Sequence, residues 1–368
     1  MTDTPHTPHT PETLPQSRLV EAIESQPGAD YPIGRAQLPD AAKKKSDLKA
    51  RVATAIVLVP VIILGIIKGG AIWTAIVAVV AAAATWEFFN FMDAKGLRGS
   101  KGTGMVGSLA LVFGASFSNE YFSTLILTVI MLTGFTRQLR KREISAAITG
   151  SAVTVFGVIY VGWLTSHLVW LRNIGSELQV KYFANAAGAA HAAPGFADIG
   201  MYFLFMGVAA TFLADTGGYF FGRAFGRHKL APSISPKKTW EGFVGQIVGA
   251  IAGATAARFV FTTWIFGDAP YSADFPYTHC VILGVLVAVL GLIGDLYESM
   301  LKRDAQVKDA SGLLPGHGGF LDRLDSINFA IPMTYYYVKL YYYWVFSPRT
   351  ESDLRDLADY LARYVSGN

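Results

Sequence analysis

The chain has 368 residues, of which 52% are hydrophobic and only 16% charged, with a formal net charge of +4. Ordinary globular domains carry about a quarter charged residues, so this composition excludes a single soluble domain and fits a polytopic membrane protein with room for many spans. Lys and Arg cluster in loops without building a basic face, which excludes nucleic acid as a partner, and the single Cys280 excludes a disulfide or thiolate metal site within one chain.

Residues 1–42 are polar and Pro-rich and read as a disordered tail, with His6 and His9 in a Thr-Pro repeat. No apolar core follows the charges within the first thirty residues, so no cleavable signal peptide is expected. Lys43, Lys44, Lys45, Lys49 and Arg51 form a basic patch that suits anionic headgroups. The membrane domain is expected over 43–348. Its apolar windows fall at 52–67, 71–91, 103–117, 121–135, 145–171, 199–222, 242–265, 279–297 and 324–346, which predicts an all-α fold of about nine transmembrane helices.

Loop charge alternates. The stretches before the first window and after the second, fourth, sixth and eighth are rich in Lys and Arg, while Ser116 to Tyr121 and Gly267 to Thr278 have none. The positive-inside rule then predicts a cytoplasmic N-terminus and cytoplasmic basic loops. The Ala-rich stretch 173–198 is the longest outer loop and lacks phosphate-binding character. Tyr335–Tyr337 and Tyr341–Tyr343 with Trp344 read as an interfacial aromatic belt, and 349–368 as an amphipathic tail spaced by Leu354, Leu357 and Leu361.

Three stretches carry chemistry. Asp215 lies inside the sixth window, and a carboxylate within a span marks a functional site by default. Next comes Ser235-Pro236-Lys237-Lys238-Thr239-Trp240-Glu241; a helix capped by Ser235 and started by Pro236 would present free N–H groups and two lysines to a phosphate. The third stretch runs from Asp295 to Asp325. On a helix Asp295, Ser299 and Lys302 share one face, and Asp322 and Asp325 share another. Two helix ends could thus point three carboxylates at one spot, a self-repelling set that suits Mg²⁺. Lys302, Arg303, Lys308 and Arg323 rim that spot, and Gly312, Gly316, Gly318 and Gly319 let backbone N–H groups approach an anion. Lys302 is expected beside the metal, and Lys237 and Lys238 across a span pair from it. His317 is expected to orient the Gly-rich loop or a phosphate.

The pattern Ser299-x-x-Lys302-Arg303-x4-Lys308-Asp309-x-Ser311-x3-Pro315-x-His317-Gly318-Gly319-x-x-Asp322-Arg323-x-Asp325 resembles the signature of the phosphatidate cytidylyltransferases, with no departure inside it. The Ala-Asp-Thr-Gly element at Asp215 and the Ser-Pro-Lys-Lys-Thr-x-Glu run resemble two further elements of that family, so the likeness covers 215–325. The resemblance implies transfer of CMP from CTP to phosphatidate, giving CDP-diacylglycerol and pyrophosphate at a Mg²⁺-dependent intramembrane site in the cell (plasma) membrane that faces the cytoplasm. It implies Asp295, Asp322 and Asp325 as metal ligands, with a second cation left open, and Lys302 and Arg303 as catalytic partners. Asp215, Ser235, Lys237, Lys238, Thr239, Glu241, Ser299, Lys308, Asp309, His317, Gly318, Gly319 and Arg323 would meet the substrates. Two other readings fit the residues alone: a CTP-dependent transferase or kinase acting on a polyprenol or ether lipid, and a Mg²⁺ transporter. Nothing in the sequence decides between a monomer and a homodimer.

Overall fold

The computed structural model describes residues 41–139, 147–178, 199–265, 275–307, 310–314 and 318–346. The expectations for the N-terminal tail, for most of the Ala-rich stretch, for Lys308, Asp309 and His317, and for the C-terminal tail lie outside those residues. Of the unit Met1–Ser46, only the start of the first helix is described; Asp47–Asn368 is a second compact unit.

Helix α1 spans Ala41–Lys68, α2 Gly70–Ala94, α3 Lys101–Ala115 and α4 Glu120–Leu139. Helix α5 (Ala147–Gly157) runs through a π-helical turn, Val158–Trp163, into α6 (Leu164–Leu178). Helix α7 (Ile199–Phe225) leads to a hairpin of β1 (Lys229–Ala231) and β2 (Ser235–Thr239), then to α8 (Trp240–Val260). Helix α9 spans Tyr277–Asp304, α10 is a single turn at Leu321–Leu324, and α11 spans Ile327–Phe346. The described parts of all apolar windows are helical to within two residues at their ends.

Five helical stretches among the described residues are long and apolar enough to cross a membrane: Gly70–Ala94, Ala147–Leu178, Ile199–Phe225, Trp240–Ile265 and Tyr277–Asp304. Their outer faces keep large apolar side chains exposed, such as Val79, Phe212, Val244 and Ile282. A soluble monomer rarely shows so much, whereas a lipid-facing surface needs it. The protein is therefore an all-α membrane protein apart from one small hairpin.

The core is built on small residues. Helices α7 and α8 meet backbone to backbone: a Cβ at Gly245 would stand 2.5 Å from the Gly217 carbonyl oxygen, and one at Gly253 would stand 2.6 Å from that of Ala209. Without water to drive helices together, such close approach supplies the association. The α7–α8 pair packs on α9, and buried residues of α2, α6 and α11, such as Trp73, Leu171 and Val338, join it in one cluster. A second cluster of Phe88, Phe89, Tyr160, Leu321 and Leu324 holds α10 against α2 and the π turn.

Candidate active site

A cleft of about 340 Å³ opens where the C-terminal part of α7, the hairpin, the start of α8 and the middle of α9 converge. Asp215, Tyr219, Ser235, Lys237, Lys238, Thr239, Gln246 and Asp295 are in its lining. Asp215 and Gln246 meet because their helices are in glycine contact, and the Gln246 amide hydrogen-bonds the carboxylate. A Cβ at Gly218 would fall 2.5 Å from the Gln246 side chain, so the glycine leaves that amide its room.

The hairpin differs from the expected helix start. Residues Ser235–Thr239 form a strand paired antiparallel with β1, Ala231 opposite Ser235 and Lys229 opposite Thr239. The helix begins at Trp240, and Thr239 is its cap: the hydroxyl accepts from Gly242 N at 3.1 Å. Ser235 is therefore not the cap, because pairing holds it extended. Glu241 turns away from the cleft and accepts from Arg227 N at 3.1 Å and from His228 Nδ1 at 2.6 Å, bracing the hairpin's base.

The strand carries Lys238 into the acid-rich end, where its Nζ lies 2.5 Å from Asp295 Oδ2. Lys238 is thus adjacent to Asp295, not across a span pair from it. Ser299 donates to Asp295 Oδ1 at 3.4 Å, as expected for residues one turn apart. Asp325 feels the charge of Asp295 and Asp215, and Asp215 that of Asp295, Lys238 and Arg323. Asp325 also accepts from Ser326 N at 2.7 Å.

Asp322 and Lys302 are placed differently from expectation. Lys302 pairs with Glu298 on its own helix and with Asp322 Oδ1 at 2.9 Å. Asp322 also accepts from Gly319 N at 2.8 Å and from Ala310 N at 3.1 Å. Burial works against the Asp322 charge, but the Gly319 N–H and Lys302 hold its carboxyl below the usual carboxylate range. Asp295, Asp322 and Asp325 do not form one ligand set, and no three Asp, Glu, His or Cys side chains among the described residues stand close enough to hold a metal. Asp322 is drawn off because donors on its own loop and on α9 reach it. Arg303 meets a carbonyl, donating from Nε to Ile234 O at 3.4 Å and tying the end of α9 to the hairpin turn.

Gly318, at φ +81°, makes the turn that aims the Gly319 N–H at Asp322. On the other side of this loop lies Glu87 of α2, fully buried. It accepts from Phe320 N at 3.0 Å, Leu321 N at 2.7 Å and the Ser311 hydroxyl at 2.5 Å. Glu87, Glu298, Tyr219 and Gln246 were not singled out by sequence reasoning. The rule that found Asp215, a carboxylate inside an apolar span, would have found Glu87 too; the other three carry no comparable signal.

Residues 49–341 match the sequence profile of the cytidylyltransferase family. A phosphatidate cytidylyltransferase of Synechocystis sp. is 32% identical over 300 residues, 79% of this chain and 96% of that protein. One of Bacillus subtilis is 28% identical over 304 residues, 80% of this chain and 99% of that protein. One of Haemophilus influenzae reaches 43% identity over a shorter stretch of 138 residues, 38% of this chain and 46% of that protein.

Proposed function

The chain belongs to the cytidylyltransferase family, and from that premise we propose how its residues divide the work. The enzyme transfers CMP from CTP to phosphatidate, a step of phospholipid synthesis that yields CDP-diacylglycerol and pyrophosphate. A phosphate oxygen of phosphatidate attacks the α-phosphorus of CTP; the bond to the bridging oxygen breaks, and pyrophosphate departs with its electron pair. Such a transfer asks the protein chiefly for positioning and charge neutralisation.

The observation that carries the assignment of residues is the cleft in which Lys237 and Lys238 meet Asp215 and Asp295. Lys237 and Lys238 meet the phosphates, and Lys238 exchanges its contact with Asp295 for one to a phosphoryl oxygen. Mg²⁺ suits the carboxylate oxygens of Asp295 and Asp325, the second of which feels the charge of the first. Asp295 and Asp325 would hold it with Asp215 beside them, in place of the Asp322 of the sequence reading, whose acceptors are already engaged. When bound, the ion supplies counter-charge to the phosphoryl oxygens. Lys302 and Asp322 then act behind the site, fixing α9 to the loop, and Gln246 keeps Asp215 oriented.

The test is pyrophosphate release from CTP by the purified protein in detergent. It should require phosphatidate and Mg²⁺; release with a polyprenol or ether lipid but none with phosphatidate would overturn the residue roles and the acceptor together.

We also propose nine spans with the N-terminus, the hairpin and the signature loop on the cytoplasmic side of the cell membrane, a reading supported by the alternation of basic and non-basic loops. With Cys280 replaced, Ser233→Cys should be blocked by a thiol reagent applied from the cytoplasm, and Ser118→Cys only by one applied outside. Labelling of Ser233→Cys from the outside would reverse the orientation.

A further inference from the structure

Glu87 lies more than 200 residues before the loop it touches: Ser311, Phe320 and Leu321 are 224, 233 and 234 positions away. Burying a carboxylate inside a membrane helix is expensive unless its oxygens are satisfied. All the donors that satisfy it come from this one loop, and two of the three are backbone N–H groups. An apolar side chain could pack α2 against its neighbours equally well, as the two residues that follow, Phe88 and Phe89, do. The carboxylate therefore does something packing does not require.

The loop is pressed onto it. A Cβ at Gly319 would stand 2.6 Å from Glu87 Oε2, so the chain passes here only because the residue is glycine. On the opposite side the backbone is held by its own next turn, with Gly319 N donating to Asp322 Oδ2 and Ala310 N to the same carboxylate. The segment is thus gripped from two sides, by Glu87 of α2 and by Asp322, itself tied to Lys302 of α9. One residue beyond Leu321 comes Asp322, and three further on Asp325, which feels the charge of Asp295 and Asp215. A displacement of Phe320 and Leu321 would move both acids relative to α9.

We propose that Glu87 is a positioning residue for cytidylyl transfer: its carboxylate, by holding Ser311 and the N–H groups of Phe320 and Leu321, sets the acid-bearing segment Asp322–Asp325 against α9. It touches neither substrate nor reacting atoms. Its kinetic consequence rests on the transfer of CMP proposed above; its effect on the loop does not.

Glu87→Gln keeps the shape but turns one acceptor into an NH₂ donor facing groups that themselves donate. Glu87→Asp keeps the charge and withdraws it by one carbon. In the full-length protein, steady-state kinetics with CTP and phosphatidate should show kcat falling by about tenfold to a hundredfold in both variants, the scale of an ångström-sized misplacement. KM for CTP should stay within about twofold, since Lys237 and Lys238 stand on a different element. Amide hydrogen exchange should quicken by about tenfold or more in peptides covering 318–325 and stay unchanged in α7 and α8. A milder variant, Ser311→Ala, removes one donor and leaves the backbone contacts. Its loss of kcat should be smaller, and combined with Glu87→Gln it should add almost nothing, because both act through one contact.

The proposal fails if Glu87→Gln and Glu87→Asp keep the parent kcat within twofold. It fails equally if exchange quickens throughout the protein and kcat falls only with the folded fraction, which is what a general packing role predicts. Should Glu87→Gln not fold, Ser311→Ala decides by the same readouts. If the parent protein releases no pyrophosphate from CTP and phosphatidate, the transfer reading is lost, while the exchange of 318–325 still decides whether Glu87 holds the loop.

Discussion

Two clusters of charge are built into the helical body, and they differ in how completely their groups are partnered. In one, Lys339 of α11 contacts Glu120, lies 2.6 Å from Glu177 Oε1 and donates to the Tyr335 hydroxyl at 3.2 Å, while that hydroxyl donates to Glu177 Oε2 at 2.9 Å. Every group has a partner of complementary kind, and the cluster ties α4, α6 and α11 together. In the other, Asp215 and Asp295 line an open cleft in which Lys238 is in ion-pair contact with Asp295, and Asp325 is near enough to feel both acids' charge. Among the described residues neither Asp215 nor Asp325 has an ion-pair partner, and the cleft beside Asp215 and Asp295 is open. A charge inside a membrane helix is costly in either place. Only the cluster with unpaired carboxylates gains by receiving a ligand, and that separates a site from a staple.

The contrast is broken most severely by removing a carboxylate from the open cluster. Asp295→Asn takes away the partner of Lys238 and half the charge that would hold a cation beside Asp325. Turnover should fall by about 10²–10³-fold while the protein still inserts and purifies as a single species. Near-normal kcat at saturating Mg²⁺ would refute the assignment of Asp295 to the reacting centre.

A sharper division concerns the two lysines. Lys238 lines the open cleft, whereas Lys302 is held between Glu298 and Asp322. Lys238→Ala should lower kcat by about tenfold or more and leave the thermal midpoint unchanged. Lys302→Ala leaves two buried carboxylates facing each other, so it should lower the midpoint as well as kcat. Kinetics and thermal inactivation of both variants in the same detergent decide it. A thermally unaltered Lys302→Ala with a pure KM defect would return Lys302 to the phosphates.

Much of this was legible before any coordinates, and the reason is physical. Apolar windows report helices in lipid because every span must satisfy its own backbone, so the helices fell where hydropathy put them. Asp215, Lys237, Lys238 and Asp295 were visible as charges that a membrane protein would not carry idly, and the cleft brings them together. What periodicity could not give was the partner of each charge. Placing Asp295, Ser299 and Lys302 on one helix face was sound geometry, yet Lys302 leans one turn back to Glu298 and across to Asp322. The strand at Ser235–Thr239 was misread as a helix start because Ser-Pro is an ordinary cap signal; its pairing with Lys229–Ala231 is a contact that local sequence does not announce. Glu87 was open to the rule that found Asp215, but its partners, over 200 residues away, were not legible.

The smallest expected kinetic effect belongs to the closed cluster, and it tests the comparison from its other side. Lys339 lies twelve residues into α11 from Ile327, about 18 Å along the helix at 1.5 Å per residue. If full partnering is what makes the cluster a staple, Lys339→Met should leave kcat and KM for CTP within about twofold of the parent while leaving Glu177 without its cation. The midpoint of thermal inactivation should fall by about 2–6 °C, the scale expected for breaking a partly buried pair in a large domain. Lys339→Arg, which keeps the charge, should lose less. Adding Glu177→Gln to Lys339→Met should recover part of the loss, since it removes the orphaned carboxylate that the first change created. A kcat lowered tenfold in Lys339→Met at an unchanged midpoint would mean that the second cluster also serves the reaction, and that satisfied charge in this fold is no sign of a purely structural role.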